Sequence, residues 1–381
     1  MKAATLEFLR QRFNDYYRRE TIIPPSSLSQ REWGFVVFDA SGETRMRRHI
    51  GFGSHQEMGE YVRSLTPAHI YYSSAYYETP GAPTMDAKHW AGADLIFDLD
   101  ADHIVRGAYE FMLARVREET VKLLAMLTDE LGFSEKLIEV VFSGGRGYHI
   151  HVKDLAVRGW GSAERRELID YVCGIGIDPG HVLAVRSPSP RGWRRRYIAA
   201  MSEYLSWLQG LPVEEAMAEL ERLDGVGEAS AERFLAAAPD MLRKINEGIP
   251  VNQNDRVIWP VIQALTSAPD GAFVNRLKEK AALADEPVTT DVKRLIRLPS
   301  SLHGGSGFRV TPLSPGELTE FDPLVDAIVF GTKGVMVDCS IKGTMSLLGN
   351  TYALEKSTIT VPEALAVFLC CRGLAEISGG G

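Results

Sequence analysis

Cysteine is scarce: four in 381 residues, Cys173, Cys339, Cys370 and Cys371, with no C-x-x-C pair among them. That excludes a disulfide framework and reads as a reduced, cytoplasmic protein. No apolar run approaches the ~20 residues a membrane span needs, so no membrane partner is expected. Nor do the first twenty residues read as a signal peptide. Leu6, Leu9, Phe13 and Tyr16 recur at helical spacing among Glu7, Arg10, Arg12 and Asp15, the pattern of an amphipathic surface helix. A positive excess is missing as well. With 42 Lys and Arg against 50 Asp and Glu, the net charge is −8, and any nucleic-acid site must be a local patch. There are no internal repeats, and only Gly379-Gly380-Gly381 is low in complexity. What is present is an ordinary globular composition, 45% hydrophobic and 24% charged, ample for one large domain or two or three modest ones.

Strand-like runs dominate the first part of the chain: Phe35 to Phe38, His69 to Tyr77, Leu95 to Asp100, Ile138 to Phe142 and Tyr148 to Val152. Helical patterns interrupt them from about Tyr109 to Leu131 and from Ala163 to Cys173. The mixture predicts an α/β or α+β core with the chemistry at its sheet. Composition shifts at Arg186, where Ser-Pro-Ser-Pro-Arg-Gly follows, and Arg194 to Lys280 is then almost wholly helical in pattern. Strand-like segments return at Phe308 to Leu313 and in the C-terminal part. These boundaries predict a core formed by 1–186 and 283–381, with a helical subdomain, 187–282, inserted in it.

The chemistry gathers in three places. Asp98-Leu99-Asp100 ends the mostly apolar run Ala93 to Phe97. On a strand, Asp98 and Asp100 project to one face while Phe97 and Leu99 project to the other. Paired carboxylates repel, and a Mg²⁺ or Mn²⁺ ion, which takes hard oxygen ligands, would remove the conflict. Asp-x-Asp alone is weak, since glycosyltransferases that use sugar nucleotides share the spacing. The second place is Ser143-Gly144-Gly145-Arg146-Gly147-Tyr148-His149. Glycines let a ligand approach the main chain, and Arg146 can grip phosphate oxygens bidentately. His149 and His151 share one strand face and Tyr148, Ile150 and Val152 the other. A hairpin with solvent-facing histidines is the plain alternative. It is no Walker loop, because no Gly-Lys-Ser/Thr follows.

The third place runs from Asp285 to His303. Val288, Val292, Leu295 and Ile296 mark one helical face, with Pro299 as the stop, and Lys293, Arg294 and Arg297 line a charged side that could be merely solvated. Arg45 to His49 and Arg194 to Arg196 are further basic patches, able to meet a phosphate backbone or simply exposed. Leu223 to Gly227 faintly resembles a helix-hairpin-helix turn; a glycine-capped turn between helices accounts for it as well.

Together these segments resemble the catalytic small subunit of the archaeal and eukaryotic type of DNA primase, in its archaeal form, over nearly the whole chain. Arg31 to Phe35 is similar to the family's early Arg-Glu-Phe-type motif. Ala93 to His103 is similar to its acidic strand, and Ser143 to Val152 to its Ser-Gly-x-Arg-Gly-x-His motif. Val288 to His303 is similar to its Val-Thr…Leu-x-Arg-x-Pro-x-Ser-x-His segment, and Val361 to Glu376 to the archaeal ending. The resemblance implies an α/β (mixed α+β) primase-type catalytic core with an inserted helical subdomain. It implies a metal site of Asp98, Asp100 and Asp285, with Glu286 as the alternative if the register slips by one and Asp291 ranked behind it. Ser143, Arg146, His149, Arg297 and His303 would hold the incoming triphosphate, and Arg48 would lie near nucleotide or template. One departure stands out: the family's cysteine-rich zinc knuckle has no counterpart, since no cysteine lies between His103 and Cys173. That puts a structural zinc in doubt.

The implied activity is two-metal, template-directed nucleotidyl transfer making short primers for DNA replication, with Mg²⁺ or Mn²⁺ as cofactor. The implied partners are a single-stranded DNA template, NTPs and possible dNTPs, and a primase large subunit. A repair or gap-filling polymerase of the same superfamily would share the motifs but need a primer. A metal-dependent glycosyltransferase would leave Arg146, His149 and Arg297 without a role. A non-catalytic DNA-binding subunit need not keep three repelling acids.

Overall fold

The computed structural model describes residues 1–38, 45–105, 107–177, 182 and 189–378, without the side chain of His103. The composition shift at Arg186 and the terminal glycines lie outside the described residues. The chain divides into two compact units. The first comprises Met1–Leu124, Gly132–Glu167 and Ala284–Gly381, and the second Ala125–Leu131 and Leu168–Leu283.

The first unit is mixed α and β. One sheet joins β1 (Trp33–Val36), β2 (Met46–Ile50), β3 (His69–Ser73) and β9 (Leu295–Arg297) in the order β2-β1-β3-β9. A pair of short strands, β4 (Ala75–Tyr77) and β5 (Trp90–Ala93), follows the first three in the chain. A second four-stranded sheet holds β6 (Leu95–Asp100), β7 (Ile138–Phe142), β8 (Gly147–Val152) and β10 (Thr311–Leu313) in the order β10-β7-β8-β6, antiparallel throughout. Toward the C-terminus lie a three-stranded sheet of β11 (Gly334–Cys339), β14 (Thr358–Pro362) and β15 (Ala375–Ile377), and the hairpin β12 (Gly343–Leu347) and β13 (Asn350–Leu354).

The N-terminal helix forms over Ala3–Arg19 and buries Leu6, Leu9, Phe13 and Tyr16, as its period predicts, together with Tyr17. Each large apolar side chain so buried stabilises by about 1.5–3 kcal/mol. Its tyrosines also reach the third motif: Tyr16 Oη donates to the Ser300 carbonyl at 2.7 Å, and Tyr17 Oη accepts from Leu302 N at 3.2 Å.

Several elements differ from the sequence reading. The helix expected from Val288 to Pro299 is only Glu286–Thr290, and Leu295–Arg297 is a strand paired with Tyr71–Ser73. Pairing supplies backbone partners for an apolar segment too short to bury a helical face. The run from His69 to Tyr77 breaks at Ser74, whose N–H leaves the ladder to donate to the Arg294 carbonyl. The helix from Tyr109 turns into a wider π-type turn at Met126–Glu130. Strand structure in Phe308 to Leu313 is confined to Thr311–Leu313 beyond an isolated bridge at Arg309, and the first strand begins at Trp33 and ends at Val36.

The second unit is helical, with helices over Gly192–Gln209, Val213–Glu221, Glu228–Asn246, Ile258–Ser267 and Ala272–Lys278, and no strand among its described residues. Met201, Tyr204, Leu208, Phe234 and Ile262 lie in one apolar core. The Leu223 to Gly227 segment is a turn between two of these helices, with Gly225 at φ +76°. Arg195 and Arg196 are engaged by Glu130, so that basic patch is partly spent on structure within the unit.

Candidate active site

The acid strand β6 lies beside the glycine-rich turn because β6 and β8 are paired, which sets Asp98 directly opposite His149 and Asp100 opposite Gly147. His149 Nε2 stands 3.5 Å from Asp98 Oδ1. Asp285 arrives from far along the chain: its backbone N–H donates to the Asp98 carbonyl at 2.9 Å. The pairing of backbone atoms brings the third acid to the first. The Asp98 carboxyl keeps 21% of its side chain exposed, yet its pKa is pushed up to about 7. Burial is the largest cause, followed by the charges of Asp100 and Asp285, while Arg294 and Arg297 pull the other way. Asp100 also accepts from the Asp102 N–H at 3.1 Å. Among the described residues no three His, Cys, Asp or Glu side chains form a ready-made metal cage. The three acids nevertheless match a divalent cation in chemistry, offering hard oxygen donors whose mutual repulsion a cation would relieve.

The turn after β7 is clamped on both sides. Ser143 N donates to the Gly147 carbonyl at 2.9 Å, and Ser143 Oγ accepts from Gly145 N at 3.3 Å. Gly144 sits at φ +75°, and a Cβ there would come within 2.7 Å of His303 Cβ. A Cβ on Gly147 would lie 2.4 Å from the Leu99 carbonyl oxygen, so only glycine lets this turn approach the acid strand. Ser306 Oγ donates to the Gly144 carbonyl and Tyr109 Oη to that of Gly145. Arg146 is ion-paired with Asp102 at the surface.

Arg297, on β9, completes the cluster. Its Nη1 donates to His69 Nδ1 at 2.8 Å and to Tyr71 Oη at 2.9 Å, while its Nε is buried without a partner. His303 packs its ring edge-on against His69, with 4.9 Å between centroids. Burial, then the charges of Arg297 and Arg294, holds the His149 pKa down at about 3. His303 is held well below its ordinary value by burial first, then Arg297 and His69. Both imidazoles are neutral among guanidiniums, an arrangement that favours an anion. The plain alternative of solvent-facing histidines does not hold, since His149 and His151 are both buried.

Arg48 is held by a buried acid. Its guanidinium pairs with the buried Glu32 at 3.1 and 3.4 Å, where Lys88 Nζ also stands at 3.5 Å. The sequence reading passed over His69, Tyr71, Ser306 and Tyr109. The same-face rule that joined His149 to His151 would have joined His69 to Tyr71 on their strand. Their contact with Arg297 is set by the β3–β9 register and has no local signal.

Comparison with known proteins bears on this geometry. The family model for the DNA primase small subunit matches residues 97–315. The chain is 56% identical over 381 residues to a protein of Methanosphaerula palustris named DNA primase small subunit PriS, covering 100% of both chains. It is 58% identical over 380 residues to the protein of that name from Methanoregula boonei, covering 99% of this chain and 100% of the relative. It is 41% identical over 403 residues to that of Methanothrix thermoacetophila, again covering 99% and 100%.

Proposed function

This chain belongs to the DNA primase small-subunit family, and we propose that its acid strand, glycine turn and Arg297 cluster carry out template-directed nucleotidyl transfer. It is the catalytic subunit of a DNA primase, a replication enzyme of the nucleotidyltransferase class. The finer reading is that it makes short primers on single-stranded DNA from NTPs, accepts dNTPs for extension, and works as a heterodimer with a primase large subunit. Among the described residues no helix is long and apolar enough to cross a membrane.

The observation that carries the mechanism is the electrostatic conflict at Asp98, raised by burial, Asp100 and Asp285 and opposed by Arg294 and Arg297. Asp98, Asp100 and Asp285 would hold Mg²⁺ or Mn²⁺. Such ions supply charge stabilisation at the attacking 3′-hydroxyl and at the departing pyrophosphate. The chain's own groups do the rest. Arg297 offers its unpartnered Nε to the triphosphate, and Arg146 exchanges Asp102 for a phosphate oxygen. His149 and His303, held neutral, hydrogen-bond phosphate without adding to the crowding of guanidiniums. Ser143 and the glycine turn let phosphate approach the main chain. No residue need form a covalent bond.

The test is nucleotide incorporation on a single-stranded template with Mg²⁺ or Mn²⁺, comparing wild type with Asp98→Ala and Asp285→Ala, with and without primer, with NTPs and dNTPs supplied separately. Both substitutions should lower the rate by several orders of magnitude in folded protein. Activity surviving Asp285→Ala would remove Asp285 from the site. Synthesis only when a primer is present would favour a gap-filling polymerase.

A further inference from the structure

Arg297 spends one nitrogen on two residues that touch no acid of the site. Nη1 donates to His69 Nδ1 at 2.8 Å and to Tyr71 Oη at 2.9 Å, and the guanidinium lies over the Tyr71 ring with its carbon 5.2 Å from the centroid. The register of β3 against β9 sets Tyr71 directly across from Arg297, so this contact is built into the sheet. Nε, on the same rigid fork, is buried and has no partner. Fixing one corner of a planar guanidinium fixes the direction of its other N–H groups. The unpartnered nitrogen leaves this guanidinium a donor still able to take an anion.

His69 does more than hold one nitrogen. Its Nδ1 also accepts from Gly304 N at 3.3 Å, and its ring meets His303 edge-on. It therefore ties Arg297, His303 and the loop after His303 to one strand. A guanidinium always donates, so His69 must keep a lone pair on Nδ1 and carry its proton on Nε2. Burial, and then the charge of Arg297, keeps the ring neutral, in keeping with this tautomer. There is little room for another arrangement: a Cβ on Gly304 would stand 2.9 Å from His69 Nε2 and from the Ala68 carbonyl.

We propose that His69 and Tyr71 are positioning residues of the triphosphate site, orienting Arg297 through Nη1 and, through His69, the His303 ring as well. This rests on the reading of Arg297 and His303 as triphosphate ligands. Neither His69 nor Tyr71 touches the nucleotide; both act by fixing side chains that do.

The experiment uses the full chain and the variants His69→Phe, His69→Asn, Tyr71→Phe, Arg297→Ala and His69→Phe/Arg297→Ala. His69→Phe keeps the ring and its edge contact but removes the acceptor, whereas His69→Asn returns an acceptor near Nδ1. KM and kcat are measured for ATP incorporation on a single-stranded template, and affinity is measured for inorganic tripolyphosphate alone. His69→Phe should raise KM about tenfold, the scale of a hydrogen bond to a charged group, with kcat nearly unchanged. His69→Asn should recover most of the loss. Tyr71→Phe should raise KM about threefold, and it carries the test if His69→Phe does not fold. Tripolyphosphate affinity should fall in parallel, because the contact concerns phosphate and neither base nor sugar. In the Arg297→Ala background, His69→Phe should add less than about twofold. If Arg297→Ala raises KM but His69→Phe and Tyr71→Phe do not, or if the effects simply add, the positioning role is refuted. If Arg297→Ala leaves KM unchanged, the triphosphate reading fails first and the proposal falls with it.

Discussion

Replacing Asp98 by Asn should make the metal-free protein more stable at pH 8 while abolishing its activity. The Asp98 carboxyl is pushed up from 3.8 to about 7, by burial first and then by Asp100 and Asp285. A carboxyl with a folded pKa above its unfolded value binds its proton more tightly when folded. Its cost is therefore absent below about pH 4, grows as the pH rises, and is complete once the pH passes about 7. Raising the carboxyl from 3.8 to about 7, at about 1.4 kcal/mol for each tenfold change in proton affinity, bounds that cost at about 4 kcal/mol. The Asn amide must itself leave water, so the expected gain is about 2 kcal/mol. For a domain of this size that is a rise of about 4–8 °C in melting temperature. Scanning calorimetry in EDTA at pH 8 and pH 4 reads it directly, and the difference should largely vanish at pH 4. Adding Mg²⁺ at pH 8 should raise the wild type more than the variant, since only the wild type keeps all three acids. If Asp98→Asn melts lower than wild type at pH 8 without metal, the electrostatic account of this site is wrong.

Three further outcomes are expected. Arg31→Met should destabilise by about 3–5 kcal/mol in urea unfolding, because it strips the buried Asp94 of its guanidinium and leaves the Tyr76 hydroxyl as its side-chain donor; a loss under about 1 kcal/mol would contradict this. Gly147→Ala would drive a Cβ into the Leu99 carbonyl, 2.4 Å away, and push the acid strand outward. Incorporation should drop more than about tenfold while circular dichroism stays native-like, since small misplacements of reacting groups are costly. Asp102→Asn should free Arg146 and tighten nucleotide binding about two- to fivefold at low salt, an effect that should fade at high salt; titration calorimetry at two ionic strengths checks it.

Much of the site was legible in the chain because its signals are local. Asp98 and Asp100 alternate with Phe97 and Leu99, which is enough to place both acids on one face once the run is a strand. The glycines of the turn and the alternation of His149 and His151 carry the same kind of information. The amphipathic period of the N-terminal helix likewise named its buried face in advance. The third motif misled for the converse reason. Val288, Val292, Leu295 and Ile296 have helical spacing, yet the backbone of Leu295–Arg297 pairs with β3, a partner more than two hundred residues earlier. Local periodicity cannot weigh that pairing. The ionisation of the site was equally invisible. That His149 is held neutral and Asp98 raised depends on burial and on charges brought from distant segments.

The sequence by itself determined the chemical inventory: acids two apart on an apolar strand, a glycine turn bearing Arg146, and a cysteine-poor composition with a net charge of −8, because each of these follows from residue type and short spacing. Only the tertiary structure decided which groups meet. The β6–β8 register faces Asp98 with His149, a backbone hydrogen bond draws Asp285 to Asp98, and the β3–β9 register delivers Arg297 to His69 and Tyr71. Pairing between strands far apart in the chain is set by the burial and hydrogen bonding of the whole sheet, and no short window of residues contains that information.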